Sequence, residues 1–165
     1  MIYEFKYRFI RKLSEPLGNI FVNFLRINNF IDFDFIIPVP LHKRRLSWRG
    51  FNQSELLASQ LNIHLATPII NDLLMRKRNT APQMGINDKE KRIKNISDAF
   101  NINNDANFKS NASVGTKFIT KQIIKNKSIL LIDDICTTAS TFENCAKAIG
   151  PLEPSQIWAL ALARG

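Results

Sequence analysis

The spacing of hydrophobic residues changes several times along the chain, and each change predicts a different element. Over residues 7–25 apolar side chains recur at steps of three and four, which predicts a helix docked on a sheet. A second helix of this kind is predicted over 141–149. Short apolar runs predict buried strands, and three stand out: FDFIIPVPL (33–41), SILLIDD (128–134) and IWALALA (157–163).

The residues after the first strand predict a strand–loop–helix unit. Pro38 and Pro40 stop ladder pairing, so we expect an extended loop to leave the sheet there. Gly50 then opens a helical stretch with leucines on one face, and Asn52 or Ser54 is available as its N-cap.

Polar stretches interrupt the later part of the pattern. LLMRKR (73–78) and AFNIN (99–103) predict short strands, and the polar residues 79–95 between them predict a mobile loop. Residues 103–126 are rich in Asn, Lys and Ser, which predicts a surface insertion rather than an extra domain.

Strands that alternate with helices predict an α/β fold, with a mostly parallel twisted sheet covered by helices on both faces. With 165 residues, 45% of them hydrophobic, the chain is expected to form a single domain over 1–165. Ligands of such sheets bind at the carboxyl ends of strands, which is where Asp133 and Asp134 fall.

The net charge and the cysteines indicate which class of partner and which redox compartment to expect. The net charge of +9 favours a polyanionic partner, either nucleic acid or a phosphorylated small molecule. Cys136 and Cys145 form no CxxC pair, which favours a reduced, cytoplasmic protein, and no signal peptide or membrane span is apparent. The basic residues gather in patches, each of which can also be ordinary solvated surface: Lys43, Arg44, Arg45 and Arg49; Arg76, Lys77 and Arg78; Lys89, Lys91, Arg92 and Lys94.

Adjacent carboxylates at the end of a buried strand need a cation, hydroxyl donors or a ligand to offset their repulsion. A Walker B strand is excluded because none of the six glycines is followed by lysine. A phospho-receiver domain is excluded because its acidic pair follows the first strand, whereas this pair lies near the end of the chain. A ribose-phosphate site remains, with carboxylates on vicinal hydroxyls and main-chain N–H groups around a phosphate. The alternative is that Asp134 and Thr137 only cap the last helix.

Three blocks of sequence carry a family resemblance. ILLIDDICTTAST (129–141) resembles the phosphoribosyl-diphosphate loop of type I phosphoribosyltransferases. PVPLHKRRLSWRGFNQSELLA (38–58) and LLMRKRNTAPQMGINDKEKRIKNISDAF (73–100) resemble one branch of them, the ComF competence family, in RGFNQ, in R-x-T-x-x-Q and in R-x-x-N before AF. The resemblance implies a type I phosphoribosyltransferase-like fold with a mobile hood or lid loop.

The resemblance also implies a role for each matching residue. It implies that Asp133 and Asp134 contact the ribose hydroxyls of phosphoribosyl diphosphate, and that the next residues hold its 5-phosphate: Thr137, Thr138, Ala139, Ser140 and Thr141. It implies a pyrophosphate loop at Leu41, His42 and Lys43. It implies a lid that carries the catalytic residues Arg78, Thr80, Gln83 and Arg92. Magnesium would bind through the diphosphate and be attracted by the same two carboxylates.

The chain departs from the family pattern at two points. Ala139 stands where family members usually have glycine, so the phosphate turn must avoid a positive φ there or tolerate strain. The cysteine-rich zinc ribbon with which many relatives begin is absent from these 165 residues, and with it any partner contact made through the ribbon.

The function implied by the resemblance is that of a phosphoribosyltransferase-like protein that binds phosphoribosyl diphosphate with magnesium and acts in the uptake of transforming DNA. Two alternatives stay open. One is a non-catalytic module that senses the same ligand and holds single-stranded DNA or competence-machinery proteins, and the other is a purine-salvage phosphoribosyltransferase. The sequence identifies neither an acceptor base nor an oligomeric state.

Residues of the second block also have simpler structural interpretations. His42 can be an ordinary surface histidine, and Arg49 can pair with Glu55. Trp48, beside Phe51, is expected in the core rather than on a base-stacking surface.

Overall fold

The structure is a computed structural model that describes residues 4–5, 10–30, 32–77, 99–103 and 121–164. Its elements are, in chain order, a 3-10 turn (Arg11–Leu13), α1 (Ser14–Ile27), β1 (Phe35–Pro38), α2 (Lys43–Arg49), α3 (Gln53–Leu65), β2 (Leu74–Arg76), β3 (Phe100–Ile102), α4 (Lys121–Ile124), β4 (Ser128–Cys136), α5 (Ser140–Ile149), a second 3-10 turn (Gly150–Leu152) and β5 (Gln156–Arg164).

β4 is the central strand of a parallel sheet that, in the described ranges, has the order β1–β4–β5. Pro38 at the end of β1 lies opposite Ile132 of β4. The segment around Ile69 adds a parallel bridge to Ile36 on the outer side of β1. Because the strands run in one direction, their carboxyl ends meet at one edge of the sheet. The expected α/β class, with a mostly parallel sheet flanked by helices, is confirmed.

Helices cover both faces of this sheet because successive side chains of a strand point to opposite sides. Leu130 and Ile132 of β4 lie in a buried cluster with the apolar faces of α1 and α3. Ile129 and Leu131 lie in a cluster on the other face with α5, β2 and β3. Burial on both faces explains why the sequence of β4 is an almost continuous apolar run.

β2 and β3 form an antiparallel pair outside the parallel sheet, with Arg76 opposite Phe100. β3 packs on α5, and Phe100 shares a buried cluster with Phe142 and Cys145. The pair therefore lies over the helix that follows β4.

The chain after β1 differs from the predicted plain loop, because α2 begins only a few residues beyond Pro38. Its basic, polar sequence has little apolar periodicity, and so the pattern did not indicate a helix. Gly50 does not open α3; it ends α2 with a left-handed φ of 75°, a conformation that favours glycine. Asn52 is the N-cap of α3, as predicted, and its Oδ1 accepts a hydrogen bond from the Ser54 N–H at 3.1 Å.

The last residues of the predicted insertion at 103–126 contribute to the core. Ile124 of α4 is 0% exposed, and Lys121 and Lys125 both bind Glu153 at the turn before β5. Residues 104–120 lie outside the described residues.

α1 crosses α3 at a close contact. A Cβ atom added to Gly18 would overlap the Cβ atom of Gln60, so this crossing requires glycine. Of the helix predicted at 7–25, residues 7–9 lie outside the described residues, Arg11–Leu13 form a 3-10 turn, and α1 starts at Ser14. Of the helices in the described part of the chain, none has the length and apolar character needed to cross a membrane.

Candidate functional site

The candidate site lies where β1 and β4 end. The Val39 N–H donates to the Ile132 carbonyl at 2.9 Å, so the loop after β1 leaves the sheet beside the end of β4. The start of α3 returns to the same place, where the Ser54 hydroxyl donates to Asp133 Oδ1 at 3.0 Å. Segments that are distant in sequence therefore meet at one edge of the sheet.

A pocket that is open to solvent lies at the carboxyl end of β4, with about 180 Å³ of empty space when the open solvent at its mouth is included. The residues that line it come from β4, the following turn and the start of α5: Asp133, Ile135, Cys136, Thr137, Thr138, Ala139, Thr141 and Phe142. Ser140, also predicted for the phosphate turn, is 7% exposed and bonds Thr138, with their hydroxyl oxygens 2.6 Å apart. The structure thus gathers one predicted carboxylate and most of the predicted turn around one opening.

The turn after β4 has a conformation suited to an anion. Ala139 has φ 57° and ψ −12°, in the left-handed region that disfavours a residue with a Cβ. Of the two outcomes that the sequence allowed, the chain therefore tolerates strain. The Ala139 carbonyl accepts from the Glu143 N–H at 3.0 Å, which starts the hydrogen bonding of α5. The N–H groups of the first turn of α5 have no partner within the helix, and they point outward from its N-terminal end. This end is the positive end of the helix dipole, where an anion is favoured.

The helix-cap alternative does not fit this geometry. The N-cap residue of α5 is Ala139, and an alanine side chain has no hydrogen-bonding group. Asp134 lies within β4, and Thr137 lies in the exposed turn that precedes the cap. Neither side chain occupies the N-cap position that this alternative requires.

The two carboxylates of the acidic pair have different environments. Asp133 is half-buried and lines the pocket, and its Oδ1 accepts from the Asp134 N–H at 2.8 Å as well as from the Ser54 hydroxyl. Asp134 is 6% exposed and is not among the residues that line the pocket. Because side chains alternate along a strand, the adjacent acids are separated and Asp133 is the one that faces the opening.

The predicted pyrophosphate loop lies at the start of α2. His42 Nδ1 accepts from the Arg44 N–H at 3.2 Å, so His42 is the N-cap of this helix rather than an ordinary surface histidine. Leu41 is half-buried and Lys43 is exposed. The loop after β1 thus leads into α2, whose first residue is the exposed Lys43.

Arg76 belongs to this region, although sequence reasoning placed it in a surface patch. Its guanidinium carbon lies 5.3 Å from the centre of the Phe100 ring. Burial lowers the pKa of Arg76, the positive charge of Arg45 lowers it further, and the charge of Asp133 opposes both effects. Burial has the opposite effect on the nearby thiol of Cys145: it raises the pKa of this group, and the negative charge of Asp133 raises it further.

The sequence did contain a signal for Arg76. In LLMR the buried Leu74 and the half-buried Arg76 are two residues apart, which puts them on the same face of a strand. Met75, between them, is exposed. A period-two reading of this short strand would have placed the guanidinium on the buried face.

The chain resembles curated proteins of bacterial DNA uptake and use. No family model matches it. Competence protein F of Haemophilus influenzae is 33% identical over 130 residues, which are 78% of this chain and 50% of that protein. The chain belongs to the ComF family. DNA utilization protein YhgH of Escherichia coli O157:H7 is 29% identical over 129 residues, which are 77% of this chain and 48% of YhgH. The chain thus spans about half the length of these curated relatives.

Solved structures that resemble this ComF fold include phosphoribosyltransferases. A purine phosphoribosyltransferase from Pyrococcus horikoshii has a TM-score of 0.47 and 15% identity, with 90% of this chain and 71% of that chain covered. A hypoxanthine phosphoribosyltransferase from Staphylococcus aureus has a TM-score of 0.40 and 13% identity, with 92% and 61% covered.

The predicted lid of the ComF chain falls outside the described residues. Its proposed catalytic residues are Arg78, Thr80, Gln83 and Arg92. Their roles therefore stay predictions from the family motifs.

Two predictions for the end of α2 need correction. Trp48 is 66% exposed, so the expectation of a core position was wrong, because α2 is short and none of its residues is buried. Arg49 donates from Nη1 to Gln53 Oε1 at 3.1 Å, in place of the suggested pairing with Glu55.

Proposed function

We propose that this ComF chain binds phosphoribosyl diphosphate with magnesium at the end of β4 and acts as a phosphoribosyltransferase. The observation that carries the proposal is the left-handed turn at Ala139, which opens α5 directly beside the Asp133 carboxylate in one pocket. Main-chain N–H groups that can donate to a phosphate and a carboxylate that can accept from hydroxyls, both at one pocket, match a ribose 5-phosphate group.

Each part of the ligand has a chemical counterpart in the structure. The 5-phosphate would accept from main-chain N–H groups of the turn and from the hydroxyl of Thr137, an exposed residue, with the Thr138 hydroxyl beside it bonded to Ser140. The ribose hydroxyls would donate to Asp133. The diphosphate would be attracted by two cations, Lys43 at the start of α2 and Arg76 on β2.

Magnesium fits this arrangement as a ligand-bridged ion. The described residues hold no group of three metal-ligating side chains, so a fully protein-coordinated ion is not indicated there. Magnesium is commonly bound through one or two carboxylates together with substrate phosphates, and Asp133 can supply such a carboxylate. The ion would offset charge on the departing diphosphate.

The proposed reaction is transfer of the phosphoribosyl group to a nitrogen nucleophile. The nucleophile forms a bond to ribose C1 while the bond from C1 to the diphosphate oxygen breaks, and pyrophosphate leaves with that electron pair. The proton that the nitrogen loses passes to pyrophosphate or to solvent. The ribosyl centre is electron-deficient during transfer and must be shielded from water, which is the role proposed for the lid residues of the family motif.

Calorimetry with phosphoribosyl diphosphate, with and without magnesium, tests the proposal, followed by a pyrophosphate-release screen across purine and pyrimidine bases. We expect magnesium-dependent binding and release with at least one base. Binding without release from any base would favour the non-catalytic sensor. Absence of binding at millimolar ligand would refute the proposed site.

The names of the relatives supply the biological setting of the proposal. Competence protein F and DNA utilization protein YhgH are named for DNA uptake and use. We propose the same setting for this chain, with phosphoribosyl diphosphate as ligand and competence-machinery proteins as partners.

Binding of single-stranded DNA is a second candidate function, and the exposure of Trp48 favours it. Lys43 and Arg44 on the same helix are also exposed, and an aromatic ring among cations suits stacking of bases beside a phosphate backbone. Anisotropy of a labelled oligonucleotide should show an affinity that falls with salt, with a log–log slope of about −0.7 per phosphate contacted. Trp48→Ala should weaken binding, whereas Trp158→Ala, which changes an exposed tryptophan of β5, should not. Equal binding by both variants would reject this surface.

A further inference from the structure

The segment 49–54 consists of the RGFNQ motif and the serine that follows it, and the proposed function gives it no task. Its last three residues are polar and almost fully buried, with Asn52 3%, Gln53 1% and Ser54 3% exposed. Buried polar side chains are costly unless they make hydrogen bonds, so their bonds indicate what the segment does.

Ser54 connects this segment to the acidic strand end. Its hydroxyl donates to Asp133 Oδ1 at 3.0 Å, across 79 positions of sequence. The helix does not need this hydroxyl, because the cap of α3 is supplied by Asn52 Oδ1, which accepts from the Ser54 N–H. Together with the bond from the Asp134 N–H, the Ser54 hydroxyl holds the orientation of the Asp133 carboxylate.

Asn52 connects the same segment to the loop after β1. Its Nδ2 donates to the Val39 carbonyl at 3.0 Å and to Glu55 Oε1 at 3.2 Å. Val39 is the residue with which the chain leaves β1 toward Leu41, His42 and Lys43. The amide of Asn52 therefore anchors the start of that loop.

We infer that Ser54 and Asn52 are positioning residues for the two halves of the ligand: Ser54 orients Asp133 for the ribose, and Asn52 anchors the loop that receives the diphosphate. This inference rests on the proposed function, and it makes the first turn of α3 the element that sets the spacing between the half-sites. Neither side chain needs to touch the ligand.

The test measures binding of ribose 5-phosphate, magnesium pyrophosphate and phosphoribosyl diphosphate by calorimetry to the whole chain. Ser54→Ala should weaken ribose 5-phosphate and phosphoribosyl diphosphate about tenfold and leave pyrophosphate within about twofold. Asn52→Ser keeps an N-cap oxygen but loses the amide donor, and it should show the opposite preference, with pyrophosphate weakened about tenfold. Ser59→Ala is the matched control, since this residue is exposed and its hydroxyl donates within α3, to the Glu55 carbonyl at 2.8 Å.

The possible outcomes separate this inference from the proposed function. If the wild type binds none of these ligands, the proposed function fails and the positioning roles fail with it. If the wild type binds but Ser54→Ala and Asn52→Ser bind as tightly, only the positioning roles are overturned. Equal weakening of every ligand by both variants would also overturn them, because a general loss of structure has no half-site preference. Should Ser54→Ala not fold, Ser54→Cys keeps the volume with a weaker donor and must show the same preference.

Discussion

Replacing Ala139 by glycine tests the geometry of the proposed phosphate turn directly. Ala139 adopts φ 57° and ψ −12°, a left-handed conformation that an L-residue enters at a cost of about 1–2 kcal/mol. Glycine enters it without that cost, but it also gains freedom in the unfolded chain, which removes about 0.4–1 kcal/mol of the benefit. The difference predicts that Ala139→Gly raises the free energy of unfolding by about 0.5–1 kcal/mol.

Thermal and urea unfolding measure this change, and the chain provides controls of both signs. For a protein of this size the gain corresponds to a rise of about 1–4 °C in Tm. Ala66→Gly should also stabilise, since Ala66 is left-handed, with φ 55°, at the end of α3. Ala146→Gly, inside α5, should instead lower stability by about 1 kcal/mol. If Ala139→Gly destabilises as much as Ala146→Gly does, residue 139 is not left-handed. The proposal that the turn at Ala139 binds a phosphate would then be refuted.

Further predictions concern the site and its surroundings. Asp133→Asn should weaken phosphoribosyl diphosphate about ten- to hundredfold in calorimetry through loss of a charge-assisted hydrogen bond, and the exposed Asp32→Asn should not; equal affinities would contradict the assignment of Asp133. Burial raises the pKa of Glu55 above its usual value of 4.5, and the hydrogen bond from Asn52 opposes this rise. Because the folded state favours the protonated carboxyl, the contribution of Glu55 to stability is present at low pH and is lost as the pH rises above 4.5. The Tm of Glu55→Gln should therefore exceed that of the wild type increasingly from acid to neutral pH, and a constant difference would exclude this cause. Cys136, half-buried in the pocket lining, should react with a thiol reagent and be protected by ligand, whereas the buried Cys145 with its raised pKa should not react; mass spectrometry of labelled peptides distinguishes them.

The strands of the sheet could be predicted because their sequences carry strong signals. β4 is apolar on both faces and carries two acids near its carboxyl end, and that pattern gives both a central strand and the place where a ligand would bind. The cap of α3 was equally readable, since Asn52 is a residue type that favours this position. Local chemistry was enough for these features.

Other features depend on contacts between distant segments, which a local pattern does not contain. α2 was missed because its basic residues have no apolar period, and its start relies on a histidine cap. The alternation in LLMR places Arg76 on the face of Leu74, but its neighbours there, Phe100 and Asp133, are far away in sequence and a local pattern does not identify them. The bond between Ser54 and Asp133 spans two separate motifs, and neither motif alone indicates it.

The crossing of α1 and α3 has an evolutionary consequence. A side chain at position 18, even a methyl group, would collide with Gln60 and push apart two helices, one of which holds Asp133 through its first turn. Substitution at Gly18 is therefore opposed for a steric reason. If glycine were invariant at this position among related sequences, that conservation would reflect helix packing and not ligand binding. Because the colliding atom is the Cβ of residue 60, only glycine at that position would release the constraint. Covariation between these two columns, rather than conservation of either, is the trace that this crossing should leave among related sequences.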